Sequence, residues 1–353
     1  SAHTVVLEAS SLASGVATIT ATGAGNNSIT VGAGHAGNLS VTSGSGDDTI
    51  TLSAYPAGNT ITIAGGGGAD GYVLGAGTEN ITGGAGVDTL TVGSASYLAS
   101  TDVINGAGGT DIVNFTAAST VTDAMFSGLS NMETVSAGNV AMTITAGAQA
   151  QEAGIATFTM GNATNSVNAS AMTSNITITG GTGVDTITSG SGDDTLDGGD
   201  GVDTIVFAAT AALNGNDAFG ANIDVSGANA DKFNMSAFLP NATFNSTVVE
   251  HNGTSEVNLT NAIVMLAAAD GDDAEVDTEA EVAALIEGIG DALHLNSGGK
   301  GIVLAGDDNG AVTGFIYFVD DTLDGTNGTI STTDVTTVAN FTLDLNTFTA
   351  GNF

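Results

Sequence analysis

The residues of this chain that could do chemistry are aspartates, and they recur inside glycine-rich turns. Gly180-Gly181-Thr-Gly183-Val-Asp185-Thr-Ile187 is followed by Ser189-Gly190-Ser-Gly192-Asp-Asp194-Thr-Leu196. Gly198-Gly199-Asp-Gly201-Val-Asp203-Thr-Ile205 comes next, so Asp185, Asp194 and Asp203 stand nine residues apart. An earlier block runs Gly65-Gly66-Gly-Gly68-Ala-Asp70-Gly-Tyr72, a degenerate Gly75-Ala-Gly-Thr-Glu79-Asn-Ile81, then Gly83-Gly84-Ala-Gly86-Val-Asp88-Thr-Leu90. Single copies hold Asp48 (Ser43-Gly-Ser-Gly-Asp47-Asp48-Thr-Ile50) and Asp111 (Gly106-Ala-Gly-Gly-Thr-Asp111-Ile-Val113); a weaker copy carries Asn27 instead. Glycine opens backbone angles closed to other residues, so several carbonyls can be aimed at one point while the aspartate adds a carboxylate. That donor set suits a hard, oxygen-seeking cation. Calcium takes six to eight oxygen ligands in flexible geometry, whereas magnesium demands a stricter octahedron.

The elements that must position these turns are short strands. Each aspartate is followed two residues later by an aliphatic or aromatic residue, and the Thr-aliphatic-Thr tail alternates as a half-buried strand does. Turn, strand, turn, strand makes one coil of a parallel β-solenoid from two nonapeptides, which brings turns on one side together every eighteen residues. Asp70 and Asp88 have that spacing, as do Asp185 and Asp203. Asp194 has no aspartate eighteen residues away on either side and is expected to matter less for metal-coupled folding. The single copies at Asp48 and Asp111 read equally well as glycine–aspartate turns of an ordinary β-protein. Asn27 reads as a turn.

Composition narrows the partners. Two Lys plus Arg face 38 Asp plus Glu, for a formal net charge of −36. Nothing here could neutralise nucleic-acid phosphates or dock on anionic lipid. A hydrophobic fraction of 42% is too high for a solvated acidic tail, so most acids must be held in folded structure without basic partners. The chain has no Cys, which removes disulfides, thiolate metal sites and cysteine nucleophiles. The longest apolar run, 262–269, is far short of the roughly 20 residues that span a bilayer, so the chain is not expected to be transmembrane. Ser1 in place of Met suggests a trimmed product or a fragment.

The tandem turns resemble the calcium-binding nonapeptides of the repeats-in-toxin (RTX) family, a calcium-loaded β-helix. The resemblance implies several Ca2+ ions, held by Asp48, Asp70, Asp88, Asp111, Asp185, Asp194 and Asp203 and by the repeat glycines. Asn131-Met-Glu133-Thr-Val135 resembles a phrase of bacterial surface-layer proteins that carry such repeats; Glu133 itself reads as a solvated strand residue more readily than as a ligand. Asp231 in 228–238 either ligates a last ion or pairs with Lys232. That segment resembles the one that closes an RTX array, with Phe233, Met235 and Phe238 covering the solenoid end. The C-terminal 343–353 resembles an uncleaved type I secretion signal.

The expected fold class is all-β: solenoid or β-roll blocks with nonapeptide turns, calcium-free β segments between them, and a C-terminal α+β cap. The expected domains are an N-terminal solenoid with the first repeat block (1–115), a calcium-free β segment (116–179), the second block and its cap (180–240), and the α+β cap (241–353). The segment between the blocks reads as solenoid rungs or as a sandwich. A capping box at Thr278–Glu281 opens a helix over about 279–294. Asp320, Asp321, Asp324 and Asn327 crowd a polar hairpin.

No catalytic constellation accompanies these elements. His3, His35, His251 and His294 are isolated, and no Gly-x-Ser-x-Gly elbow occurs. His35 reads as a surface residue. The chain is therefore expected not to be an enzyme but a secreted, extracellular structural protein of the cell surface. Its calcium would drive folding and assembly with copies of itself into a surface-layer lattice. A cell-surface glycan or lipopolysaccharide is the expected contact of a region outside this chain. The alternative is a calcium-dependent adhesin, or the export module of a larger RTX toxin or enzyme.

Overall fold

The computed structural model describes residues 2–8, 16–35, 37–207, 217–219, 231–235, 243–250, 257–258, 262–267, 293–294, 300–306, 312–320 and 335–343. Two compact units divide the chain, Ser1–Val167 and Asn168–Phe353.

The first unit is a parallel β-solenoid. One wall stacks Thr4–Leu7, Ser28–Val31, Thr49–Thr51, Gly71–Val73, Thr89–Val92, Ile112–Phe115, Thr134–Ala137 and Thr157–Thr159, every neighbouring pair parallel. A second wall stacks Thr18–Thr20, Leu39–Gly44, Thr60–Gly67, Thr78–Ala85, Val103–Gly108 and Leu129–Ser130, again parallel. Ser119–Val121 and Met142–Thr145 pair as a third. Strand alternation sends every second residue inward, and the register lines up one from each of seven rungs into a column: Ile29, Ile50, Tyr72, Leu90, Val113, Val135, Phe158. All seven are buried. Each contributes roughly 1.5–3 kcal/mol by leaving water, so the column pins the register.

Coils of unequal length obey that register because surplus residues are absorbed at the corners. Short 3-10 turns form at Ala95–Tyr97 and Asp123–Phe126. A helix at Ala148–Ala153, absent from the sequence reading, starts where Asp123 accepts the N–H groups of Gly147, Gln149 and Ala150 at 2.7, 3.1 and 3.0 Å. Gly154 ends it at φ +100°. The segment after the first repeat block is solenoid rather than sandwich, since Thr134–Ala137 lies parallel between Ile112–Phe115 and Thr157–Thr159. His35, expected on the surface, is buried.

In the second unit Thr177–Thr179, Thr195–Asp197 and Asp217–Phe219 stack in parallel on one wall. Thr186–Thr188, Thr204–Val206 and Lys232–Asn234 do so on another. Phe233 and Met235 are buried, as a solenoid cover should be, and Phe219 packs against Phe207 and Phe233 at 6.0 and 5.1 Å between ring centroids. Asp217–Phe219 also pairs with Val335–Leu343, which runs antiparallel to Val312–Asp320, itself antiparallel to Lys300–Gly306. Of the helix expected over 279–294, residues 279–292 lie outside the described residues. Leu293–His294 is instead a two-residue strand paired with Val257–Asn258. The capping box at 278–281, Phe238, the hairpin at 321–327 and the C-terminal 344–353 also lie outside the described residues.

Candidate metal centre

A ladder of side chains runs along one corner of the first unit. The N–H of Asn27 donates to Asp48 Oδ1 at 2.6 Å, that of Asp48 to Asp70 Oδ1 at 2.8 Å, and that of Asp70 to Asp88 Oδ1 at 2.8 Å. Asp88 donates to Asp111 Oδ1 at 2.7 Å, and Asp111 to Glu133 Oε2 at 2.7 Å. The steps span 21, 22, 18, 23 and 22 residues. Asp48 and Asp111 therefore belong to one stack with Asp70 and Asp88. Glu133, which reads from sequence as a solvated strand residue, is half-buried and closes the stack.

The second unit repeats the device twice. Asp185 donates to Asp203 Oδ1 at 2.8 Å and Asp203 to Asp231 Oδ1 at 2.7 Å. Asp231 is thus a buried ladder member, and Lys232 beside it is exposed. Ile176 donates to Asp194 Oδ1 at 3.0 Å and Asp194 to Asp217 Oδ1 at 3.1 Å, 23 residues on. The expectation that Asp194 lacks a stacked partner is corrected: its partner sits one longer coil away. What separates Asp194 from Asp203 is Oδ2, which in Asp194 accepts the Gly190 N–H at 2.9 Å.

The other carboxylate oxygen points at the turn. Oδ2 of Asp48, Asp88, Asp111 and Asp203 is buried and has no hydrogen-bond donor. A β-carbon on Gly83 would stand within 2.7 Å of both Asp88 Oδ2 and the Gly106 carbonyl oxygen; one on Gly180 would meet Asp185 Oδ2 and the Gly198 carbonyl as closely. On Gly65, Gly106 and Gly198 it would run into Asp70, Asp111 and Asp203 Oδ2. Gly65, Gly83, Gly106 and Gly180 therefore each leave a cradle in which a carboxylate oxygen meets a backbone carbonyl from the next coil, and at Gly198 the Asp203 carboxylate fills the same place. At the second position Gly66, Gly84, Gly181 and Gly199 have φ of +105°, +125°, +114° and +87°, and Gly68, Gly86 and Gly201 are also left-handed. Gly190 and Gly192 admit no side chain because the backbone of 172–175 lies against them. One cradle differs: the Tyr72 hydroxyl donates to Asp70 Oδ2 at 3.2 Å.

Burial dominates the electrostatics. It pushes Asp203 up to about 7 and Asp88 and Asp194 up to about 6, against the lowering effect of the ladder N–H groups. Asp70 and Asp111 are raised for the same reason. On the second wall Glu79, in the degenerate repeat, donates its N–H to Asp102 Oδ1 at 3.1 Å. Both are buried, and Glu79 is pushed up to about 8 by burial first and by the charge of Asp102 second. Asp102 and Asp217 escaped the sequence reading because no Gly-x-Gly repeat stands before them in the sequence. Their signal is only the residue two positions on, Ile104 and Phe219.

Buried acceptor oxygens that receive no hydrogen bond fit an oxygen-seeking metal ion. Among the described residues no three His, Cys, Asp or Glu side chains cluster as a metal site, so backbone carbonyls must complete any coordination. Asp48, Asp70, Asp88, Asp111, Asp185, Asp194 and Asp203 would hold the ions with the carbonyls of the glycine turns, and the ion would supply the missing positive charge.

Residues 73–95 and 177–206 match the RTX calcium-binding nonapeptide repeat, in four copies, and such repeats bind calcium ions. Neither the curated proteins nor the solved structures contain a match to the chain. No described helix is long and apolar enough to cross a membrane.

Proposed function

We propose that the chain is a secreted structural protein whose aspartate ladders bind several calcium ions, and that calcium drives both its folding and its assembly into a cell-surface lattice. The observation that carries the folding half is the row of buried Oδ2 atoms without donors, at Asp48, Asp88, Asp111 and Asp203. Without calcium these carboxylates repel one another and the glycine turns are entropically costly. Calcium that binds the folded state and not the unfolded chain stabilises it by mass action. In this reading the role is non-enzymatic, because the carboxylates serve the turns.

The assembly half is supported by the net charge of −36, most of which the described cradles do not absorb. Acids left on the surface can share divalent ions between copies. Negative-stain imaging with and without calcium tests this, together with circular dichroism during a calcium titration. Ordered sheets that require calcium are expected. Stable monomers at high protein concentration in calcium would overturn the lattice and favour an adhesin or export module. A full β signal in excess chelator would overturn calcium-driven folding.

A further inference from the structure

We propose that an asparagine at the ladder position is this chain's own substitute for the cation, so that asparagine and aspartate sort the coils into metal-independent and metal-dependent ones. The inference rests on the reading of the aspartate coils as calcium sites. It concerns Asn27 and Asn165, both buried.

Asparagine and aspartate have the same shape and differ in one arm. In both, the ladder fixes which arm is which, because a backbone N–H must face an oxygen. Asn27 Oδ1 accepts the N–H of His3 at 3.1 Å, and Asn165 Oδ1 accepts that of Met142 at 3.1 Å. The remaining arm is therefore Nδ2, an NH2 group with two donors. In Asn27 it donates to the Ser43 carbonyl at 2.8 Å and to Asp48 Oδ1 at 2.9 Å. In Asn165 it donates to the Gly161 and Ala163 carbonyls at 3.3 and 2.5 Å, inside its own turn.

The corresponding arm of Asp48, Asp88, Asp111 and Asp203 is an oxygen with no donor. An oxygen arm beside carbonyls needs external positive charge. An NH2 arm brings positive hydrogens to neighbouring carbonyls, that of the next coil for Asn27 and those of its own turn for Asn165, and adds no charge that would attract an ion. The motif Gly161-Asn-Ala-Thr-Asn165-Ser-Val167 thus parallels Gly190-Ser-Gly-Asp-Asp194-Thr-Leu196 in spacing but encodes a coil that closes without metal.

The test counts bound calcium per full-length chain, by equilibrium dialysis and atomic absorption, for wild type, Asn165→Asp, Asn27→Asp and the reciprocal Asp111→Asn. N165D is expected to bind one ion more than wild type and to need more calcium to fold. D111N is expected to bind one ion fewer while still folding. An unchanged count in N165D, with wild type binding calcium, overturns the inference. A folded wild type that binds none overturns the calcium reading beneath it instead. If N165D fails to fold, N27D decides by the same count, and failure of both in saturating calcium also overturns the inference, since a competent site would be filled.

Discussion

The backbone N–H of Asp88 donates to Oδ1 of Asp111 at 2.7 Å across 23 residues of chain, and the N–H of Asp70 makes the same bond to Asp88 across 18. Coils that differ by five residues deliver their aspartates to one line. Each carboxylate in that line has two tasks. Oδ1 satisfies a buried amide of the preceding coil, and Oδ2 faces the glycine cradle. The first task is structural, the second is the one assigned to calcium in the proposed function, and substitutions can separate them.

Asp88→Ala removes both. It leaves the Asp70 N–H buried without an acceptor, at about 1–3 kcal/mol even in saturating calcium, and it raises the calcium midpoint of folding. Asp88→Asn keeps an Oδ1 and should lose less. Asp47→Ala, whose carboxylate takes the Ala69 N–H at 2.9 Å in an exposed turn, should change stability by about 0.5 kcal/mol or less. Urea unfolding in calcium reads all three, and equal losses for D88A and D47A would count against the ladder.

The metal-free protein should be more stable in acid than at neutral pH. A carboxyl raised in the folded state above its ordinary value of about 3.9 binds extra protons on folding. Its stabilising effect is fully present below the unfolded value. It is lost as pH rises through the folded values, about 6 for Asp88 and Asp194 and about 7 for Asp203. Circular dichroism of desalted, chelator-treated protein should show more β structure at pH 5 than at pH 8, and Asp203→Asn should flatten that profile. A β signal that grows with pH in the absence of calcium would contradict it.

Ala107 occupies the column of Gly66 and Gly84 and adopts φ +75°, a left-handed conformation that a β-carbon disfavours. Ala107→Gly should stabilise the chain by about 1 kcal/mol, visible as a raised Tm. Gly84→Ala should do the reverse and more, since its β-carbon would run into the Gly66 carbonyl. A lowered Tm for A107G would show that the left-handed alanine stores no strain.

Tyr72 occupies an inward rung position that elsewhere holds Ile, Leu, Val or Phe, and its hydroxyl provides Asp70 Oδ2 with a donor. Tyr72→Phe keeps the ring and removes the donor. The folded state should lose about 1–3 kcal/mol in low calcium and less in high calcium, where an ion can take over. The calcium midpoint should therefore move upward; an unchanged midpoint would mean the hydroxyl is incidental to the cradle.

The repeat blocks were legible from Asp70, Asp88, Asp185 and Asp203 because the nonapeptide writes turn and strand in nine consecutive residues. Local chemistry of that kind needs no knowledge of the rest of the chain. The place of Asp48, Asp111 and Glu133 was not legible. Their partners lie 22 or 23 residues away rather than 18. No fixed period finds them. Asp217 as the partner of Asp194 was hidden for the same reason. The burial of His35 carried no local sign at all.

Sequence alone determined that the repeat blocks coil into parallel β rungs, that their turns offer oxygen donors of the kind a divalent ion takes, and that the chain carries almost no positive charge. Glycine at turn positions and aliphatic residues on every second strand position dictate those features over a few residues. Only the tertiary structure decided which aspartates share a line. Register is set by the inward column from Ile29 to Phe158 and by the parallel backbone ladder, while extra residues escape into corners such as Ala95–Tyr97. The distance that matters between Asp88 and Asp111 is the one between neighbouring strands, and chain separation does not record it.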